Sequence, residues 1–199
     1  VYCDVHINSL VINEDLIEDL IKEHNPIAVF PVTLMGNCYN AEKIKDLCDK
    51  YYLWLITDNC EGAGCKYKDK YIEHYSDISV MSHYLAHLAI CGQQGACSCN
   101  DSDLRNALLS VRSHGRRPNN LYFYHELLGS NLLPSNLHSC IGLEQLESFH
   151  ENFEIRTKNW NYLRYGLRNL ENIFNFADPL PDTLSSPHAF SITLNKDID

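Results

Sequence analysis

The sequence predicts an α/β fold built on a mostly parallel sheet with flanking helices, and three observations carry that expectation. Helix-spaced and strand-like segments alternate through the first half of the chain. The strand-like segments are short continuous apolar runs, as strands inside a parallel sheet are. Their β–α–β order calls for parallel neighbours joined by a right-handed crossover.

Glu14 to His24 places apolar residues at Leu16, Ile17, Leu20 and Ile21, the spacing of one helix face. Ile27 to Val32, entered through Pro26, reads as a strand buried on both faces. Ala41 to Tyr52 returns to helix spacing through Ile44, Leu47, Cys48 and Tyr51, and Leu53 to Thr57 is a second apolar strand that ends at Asp58. Lys66 to Tyr75 is polar and tyrosine-rich, a small hairpin or exposed loop. Asp77 to Met81 and Ala96 to Ser98 read as two more strands, with Gly92 and Gly95 in the loop between them. Asp101 to Ser113 is a helix with an Asp or Ser cap and Gly115 past its end. Residues 116–134 are irregular, marked by Pro118, Asn119 and Asn120. A long helical region from about Ser135 to Leu170 is expected to break near Ser148 to Asn152. Pro179, Pro181 and Pro187 make the tail loop-like before a last strand, Phe190 to Leu194.

Composition narrows the function classes. The formal net charge is −10, and Arg116-Arg117 is the one basic cluster that stands out. A nucleic-acid groove needs a basic face to attract phosphates, so no nucleic-acid partner is expected. No stretch approaches the roughly 20 apolar residues that span a bilayer, so no membrane partner is expected either. The start, Val1-Tyr2-Cys3-Asp4, has no basic region ahead of an apolar run, hence no secretory signal. It also lacks a methionine, and the chain stops just after the last strand; both suggest a central piece of a longer protein. The nine cysteines are odd in number and match no zinc or iron–sulfur spacing. Most lie in apolar runs, Cys91 and Cys140 among them, and read as buried free thiols of a cytoplasmic protein. No metal is expected.

Three residues stand where chemistry is possible. Asp58 ends one buried strand, Ser82 ends another, and His87 follows Ser82 by five residues. Open α/β sheets bind ligands beyond the carboxyl ends of their strands, so an acid and a hydroxyl at two such ends can meet one ligand. On pattern alone each also reads as a turn or helix cap, and His87 as a surface or structural histidine.

Longer motifs extend the reading. Asp58-Asn59-Cys60-Glu61-Gly62-Ala63-Gly64, then Lys66-Tyr67-Lys68 and Ser76-Asp77-Ile78, resemble the pattern D-N-C-D-A-L-G…Y-K-G…G-D-I. Met81-Ser82-His83-Tyr84-Leu85-Ala86-His87 resembles F-S-F-Y-P-A-H. Asn100-Asp101, Arg112-Ser113-His114-Gly115-Arg116, Gly129-Ser130-Asn131-Leu132, Ile141 to Leu146 and Phe190-Ser191-Ile192-Thr193 follow in order. The chain thereby resembles the DegT/StrS-like sugar-nucleotide aminotransferases over nearly its whole length.

That resemblance implies the large domain of the aspartate-aminotransferase-like pyridoxal-phosphate fold over 1–146. It implies a linking helix and the start of a small α+β C-terminal domain over 147–199. It implies pyridoxal 5'-phosphate or pyridoxamine 5'-phosphate as cofactor and a homodimer with a shared active site. Asp58 would pair with the protonated pyridine nitrogen, and Ser82 would hydrogen-bond the phosphate. Glu61 would lie near the ring substituents, and Asn131 would reach the phosphate of the neighbouring subunit's cofactor. At His87 the family's aminotransferases carry the lysine that forms an imine with the aldehyde. Imidazole forms no such imine but is a good base near neutral pH. Histidine there is similar to the sugar 3-dehydratases, the branch that holds the GDP-4-keto-6-deoxymannose 3-dehydratases. Their substrate is a nucleotide-linked 4-keto-6-deoxy sugar and their amino donor is glutamate. The type with an iron–sulfur cluster carries cysteines soon after the G-R of R-x-x-G-R, and Arg117 to Leu128 contains none.

The chain departs from the pattern in three places. Leu85-Ala86-His87-Leu88 replaces P-x-H-H, Gly92-Gln93-Gln94-Gly95 replaces G-E-G-G, and Ser130 replaces the aromatic of G-Y-N. These departures carry the alternative reading, a non-catalytic relative kept as a binding or structural subunit. An ordinary aminotransferase would need another lysine to serve, and the nearest, Lys66, Lys68 and Lys70, fall in the earlier loop.

Overall fold

The computed structural model describes residues 1–117 and 124–195; the loop expected at Pro118, Asn119 and Asn120 lies outside the described residues. Helix α1 (Ile17–His24) buries Ile17 and Ile21 and ends where Asn25 turns left-handed, its N–H reaching the Ile21 carbonyl. Strand β1 (Ala28–Val29) follows. Helix α2 (Ala41–Tyr51) opens with the Asn40 side chain accepting the Lys43 N–H and buries Ala41, Ile44 and Cys48. Strand β2 (Trp54–Asp58) comes next. Strands β3 (Lys66–Tyr67) and β4 (Lys70–Tyr71) form the small hairpin. Lys68 and Asp69 turn it with φ of 45° and 64°, as a tight two-residue hairpin needs. Strands β5 (Ile78–Ser82) and β6 (Gly95–Ser98) complete the main sheet, whose order is β1-β2-β5-β6. Its first three strands are parallel and β6 is antiparallel to β5, so the expected mostly parallel sheet is present.

Helix α3 (Ser102–Arg112) is capped by the Asp101 carboxylate, which accepts the N–H groups of Asp103 and Leu104. The long helical region divides into α4 (Asn136–Glu147) and α5 (Phe149–Gly166) with the break at Ser148. Three short strands lie in the tail: β7 (Phe174–Phe176), β8 (Thr183–Leu184) and β9 (Ile192–Leu194). Strand β8 joins the hairpin and β7 pairs with β9, so part of the tail read as loop is strand.

The core lies between the main sheet and helices α1 and α2, around Val11, Ile17, Ile44, Leu55 and Ile72. Two expectations are corrected here. The Ile27 to Val32 run is not buried on both faces: Ile27 is 83% and Phe30 55% exposed, because α1 and α2 cover only one face of the sheet. All nine cysteines are free, but only Cys38, Cys48, Cys65 and Cys91 are buried. Cys140 sits in an apolar run and is exposed, because α4 turns its apolar residues outward.

A chain of buried hydroxyls stiffens β2 just below its functional end. The Tyr39 and Thr57 hydroxyls lie 2.5 Å apart, and Thr57 also bonds Ser76. Tyr39 and Thr57 are fully buried, so each hydroxyl needs its partner. Tyr39→Phe is expected to cost ~1 kcal/mol of unfolding free energy, read as a lower urea midpoint at unchanged slope. A larger loss would mean that Thr57 cannot keep Ser76 alone.

Candidate active site

Strand register brings the first two residues together. Asp58 pairs with Val80 across the parallel β2–β5 ladder, and Ser82 lies two residues further along β5, on the same carboxyl side of the sheet. The Asp58 turn is tightly held. Its carbonyl accepts the Thr33 N–H at 3.0 Å, and one carboxylate oxygen accepts the Cys60 N–H at 3.0 Å. Asn59, fully buried, bridges the turn to its surroundings: its carbonyl oxygen accepts the Thr33 hydroxyl at 2.9 Å and its amide donates to Glu73 at 2.6 Å. The orientation of the Asp58 carboxylate is set by its own turn, through the Cys60 N–H and thiol, rather than by another charge.

Glu61 follows in the same turn. One of its oxygens accepts the Met35 N–H at 2.6 Å, and the other lies 3.9 Å from His188 Nε2. The Ser82 hydroxyl accepts the Tyr84 N–H at 3.3 Å, which leaves its own proton to donate. His87 sits in the loop between β5 and β6, its N–H donating to the Tyr84 carbonyl at 3.0 Å. Its carbonyl, like that of Ala86, accepts the Arg156 guanidinium of α5 at 3.2 Å. The His87 ring packs on the His188 ring at 5.0 Å between centroids, with its Nδ1 buried and without a partner among the described residues. Burial first, then the charge of His188, Arg156 and His83, push the His87 pKa below the ordinary imidazole value, while Glu61 pulls the other way.

The loop that carries His87 closes despite its altered glycines. Gly92 has a φ of +79°, the one left-handed position of its turn, and a Cβ on Gly95 would stand 2.9 Å from the Met81 carbonyl. The glutamines between them need neither freedom: Gln94 accepts the His83 N–H through its carbonyl at 2.9 Å and reaches the Ser135 carbonyl through its side chain. The two glycines retained are the two that the turn requires.

Asn131 lies apart from the other four. It is exposed and placed by an antiparallel bridge to Ser113 at the end of α3. The sequence reading missed His188, Arg156, Thr33 and the Met35 N–H. Asn59, Cys60 and His83, also added here, stood inside quoted motifs but had been given no role. A cleft of about 850 Å³ lined by Trp54, Asp77 and Asp101 lies at the opposite, amino end of β2 and β5, where ligands of such sheets do not bind. Among the described residues no group of three or more His, Cys, Asp and Glu is arranged to hold a metal ion, and no helix is long and apolar enough to cross a membrane.

The profile of the DegT/DnrJ/EryC1/StrS aminotransferase family matches residues 1–199. Among curated proteins, the chain is 29% identical to the lipopolysaccharide biosynthesis protein RfbH of Salmonella typhimurium, over 98% of this chain and 50% of that protein. It is 26% identical to a GDP-4-keto-6-deoxy-D-mannose 3-dehydratase of Yersinia pseudotuberculosis, over 79% of this chain and 44% of that protein. The chain spans about half the length of the curated relatives it matches. Among solved structures, Helicobacter pylori PseC, an aminotransferase involved in the biosynthesis of pseudoaminic acid, superposes with a TM-score of 0.87 at 26% identity, over 98% of this chain and 52% of that one. The Escherichia coli GDP-4-keto-6-deoxy-D-mannose-3-dehydratase with bound hydrated PLP gives 0.86 at 23% identity, over 98% and 53%.

Proposed function

The chain belongs to the DegT/DnrJ/EryC1/StrS aminotransferase family, and from that premise we propose that its protein dehydrates a nucleotide-linked 4-keto-6-deoxyhexose at the 3-position, with pyridoxamine or pyridoxal phosphate as cofactor. The product serves deoxysugar and surface-polysaccharide synthesis. One observation carries the choice of dehydration over amino transfer: an imidazole, not a primary amine, stands at position 87 with a ring nitrogen buried and uncommitted. Two of the lysines nearest in sequence are engaged elsewhere. Lys68 pairs with Glu42, and Lys66 lies over the Tyr71 ring.

The residues present fit such a cofactor. Among the described residues, a strand-end carboxylate with no cation paired to it, a hydroxyl with a free proton and a buried imidazole nitrogen without a partner are the donor set that a protonated pyridine, a phosphate and a reacting carbon call for. Asp58 would accept from the ring nitrogen and hold it protonated, and Ser82 would donate to the phosphate. Glu61, steadied by the Met35 N–H, would orient the ring's polar substituents. When bound, the cofactor supplies an amine and a conjugated electron sink. His87 would take at its ring nitrogen the proton given up by the carbon that bears the cofactor's amine, and would hand it to the departing 3-hydroxyl so that it leaves as water. Glutamate is the amino donor that restores the amine.

The site is shared between two copies in this reading. Asn131 would reach the phosphate bound by the neighbouring subunit. Leu132 and Leu133 beside it, and Leu137 and Leu143 of α4, form an exposed apolar face that supports such a pairing. Light scattering that reads the mass of a single chain for the whole protein would contradict it. The break at Ser148 between α4 and α5 suits a boundary between a cofactor-binding part, 1–146, and a linking helix with a small C-terminal part, 147–199.

The reading is tested by the absorbance spectrum of the whole protein after loading with pyridoxal phosphate and removing the excess. We expect retained cofactor that borohydride does not fix to the protein and that glutamate converts to the amine form. A covalent reduced adduct would mean that a lysine serves after all. Failure to retain cofactor would favour the second reading, a binding or structural subunit, for which Ser130 and the altered loop after His87 speak.

A further inference from the structure

The segment that carries His188 is built against the turn that carries Glu61. The Ser186 N–H donates to the Gly36 carbonyl at 2.9 Å, and the His188 N–H donates to the Met35 carbonyl at 3.2 Å. The Ser186 hydroxyl bonds the Ala63 carbonyl at 2.6 Å. A Cβ on Gly36 would fall 1.7 Å from the Ser186 carbonyl oxygen, so the two segments pack backbone to backbone. Met35 thus holds both partners at once: its N–H fixes Glu61 and its carbonyl fixes His188. From that clamp the His188 ring lies against the His87 ring, tilted by 34°, with its Nε2 3.9 Å from the Glu61 carboxylate.

We propose that His188 is a positioning residue for His87, packing on its ring and joining it electrostatically to Glu61 through the Met35 clamp. The proposal rests on the reading of His87 as the base and adds the device that tunes it. Both His188 and Glu61 lie close enough to act on the charge of the His87 ring. A positive charge on His188 opposes protonation of His87, and Glu61 favours it. The other groups that face the ring are Arg156, from α5, and His83, from the start of its own loop, and both act in the same sense as His188. Burial adds to them, so His87 stays neutral and ready to accept a proton further into the acid range.

The test is an NMR titration of the His87 ring in the whole protein prepared without cofactor. Ring-labelled histidine is used, and the His87 signal is assigned by its loss in His87→Gln. His188→Gln is expected to move the His87 midpoint to higher pH, and Glu61→Gln to move it to lower pH. A residue that merely fills space would leave the midpoint alone, or shift it alike in both variants. An unchanged midpoint in His188→Gln, with the other histidine signals in place, overturns the proposal, as do shifts of the same sign. If His188→Gln does not fold, His188→Asn and Glu61→Gln give the same comparison, and no downward shift in Glu61→Gln overturns it. Turnover is not read, so a failure here leaves the dehydratase reading standing, and a missing dehydration leaves this coupling standing.

Discussion

His87→Gln is expected to lower turnover by roughly 10²–10⁴-fold, the usual contribution of a positioned general base, while the cofactor remains bound. Glutamine fills a similar volume and keeps a hydrogen-bonding tip but has no nitrogen that takes up a proton. The loop need not move, since the backbone of residue 87 is held by Tyr84 on one side and Arg156 on the other. The wild-type pH profile is expected to carry the same signature. On the proposed reading the active form of the base is neutral, so turnover should be present above the His87 pKa and be lost as pH falls through it. Because burial and neighbouring positive charge lower that pKa, the acid limb is expected below the ordinary imidazole range. His87→Gln removes that limb with the activity. Full turnover in His87→Gln would end the assignment of the base.

Asp58→Asn is expected to be nearly as damaging. Asparagine can still accept the Cys60 N–H through its side-chain oxygen, so the turn survives. What is lost, on the proposed reading, is the negative charge that would face the cofactor's ring nitrogen. Removing one partner of a buried charge pair costs ~3–5 kcal/mol, which corresponds to roughly 10² to several 10³-fold in rate if it falls on the reaction barrier. The check is kcat measured with saturating cofactor, beside a thermal melt of the cofactor-free protein. The melt should barely change; a collapse of the fold instead would make Asp58 a structural residue of the turn.

The parts of this arrangement that could be read from sequence are those that depend on local pattern. Apolar runs and helix spacing located β2, β5 and α2, and strand ends located Asp58 and Ser82, because a parallel sheet puts its carboxyl ends together whatever the side chains do. The break at Ser148 and the cap at Asp101 were also legible, each resting on residues within one turn. His188 was not. It reaches the site only because a distant segment packs on Met35 and Gly36, and nothing in Pro187-His188-Ala189 announces that contact. Strands β7 and β8 are two or three residues long and exist through partners elsewhere in the chain, so no periodicity could reveal them. Cys140 shows the opposite failure. An apolar run predicts burial only if another surface covers it, and α4 turns its apolar residues outward. The choice between dehydration and amino transfer came from one residue, His87, set against a family pattern, and composition and spacing are silent on it.

The most direct test of that choice follows the sugar. The whole protein, loaded with cofactor, is incubated with a nucleotide-linked 4-keto-6-deoxyhexose and glutamate, and the products are read by mass spectrometry. Replacement of the 3-hydroxyl by hydrogen, a net loss of one oxygen from the sugar with its 4-keto group kept and no nitrogen retained, is the result expected of a dehydratase that uses His87 as its base and releases the cofactor's amine as ammonia. A product that keeps its 3-hydroxyl and carries a new amine would contradict the account and make the protein an aminotransferase.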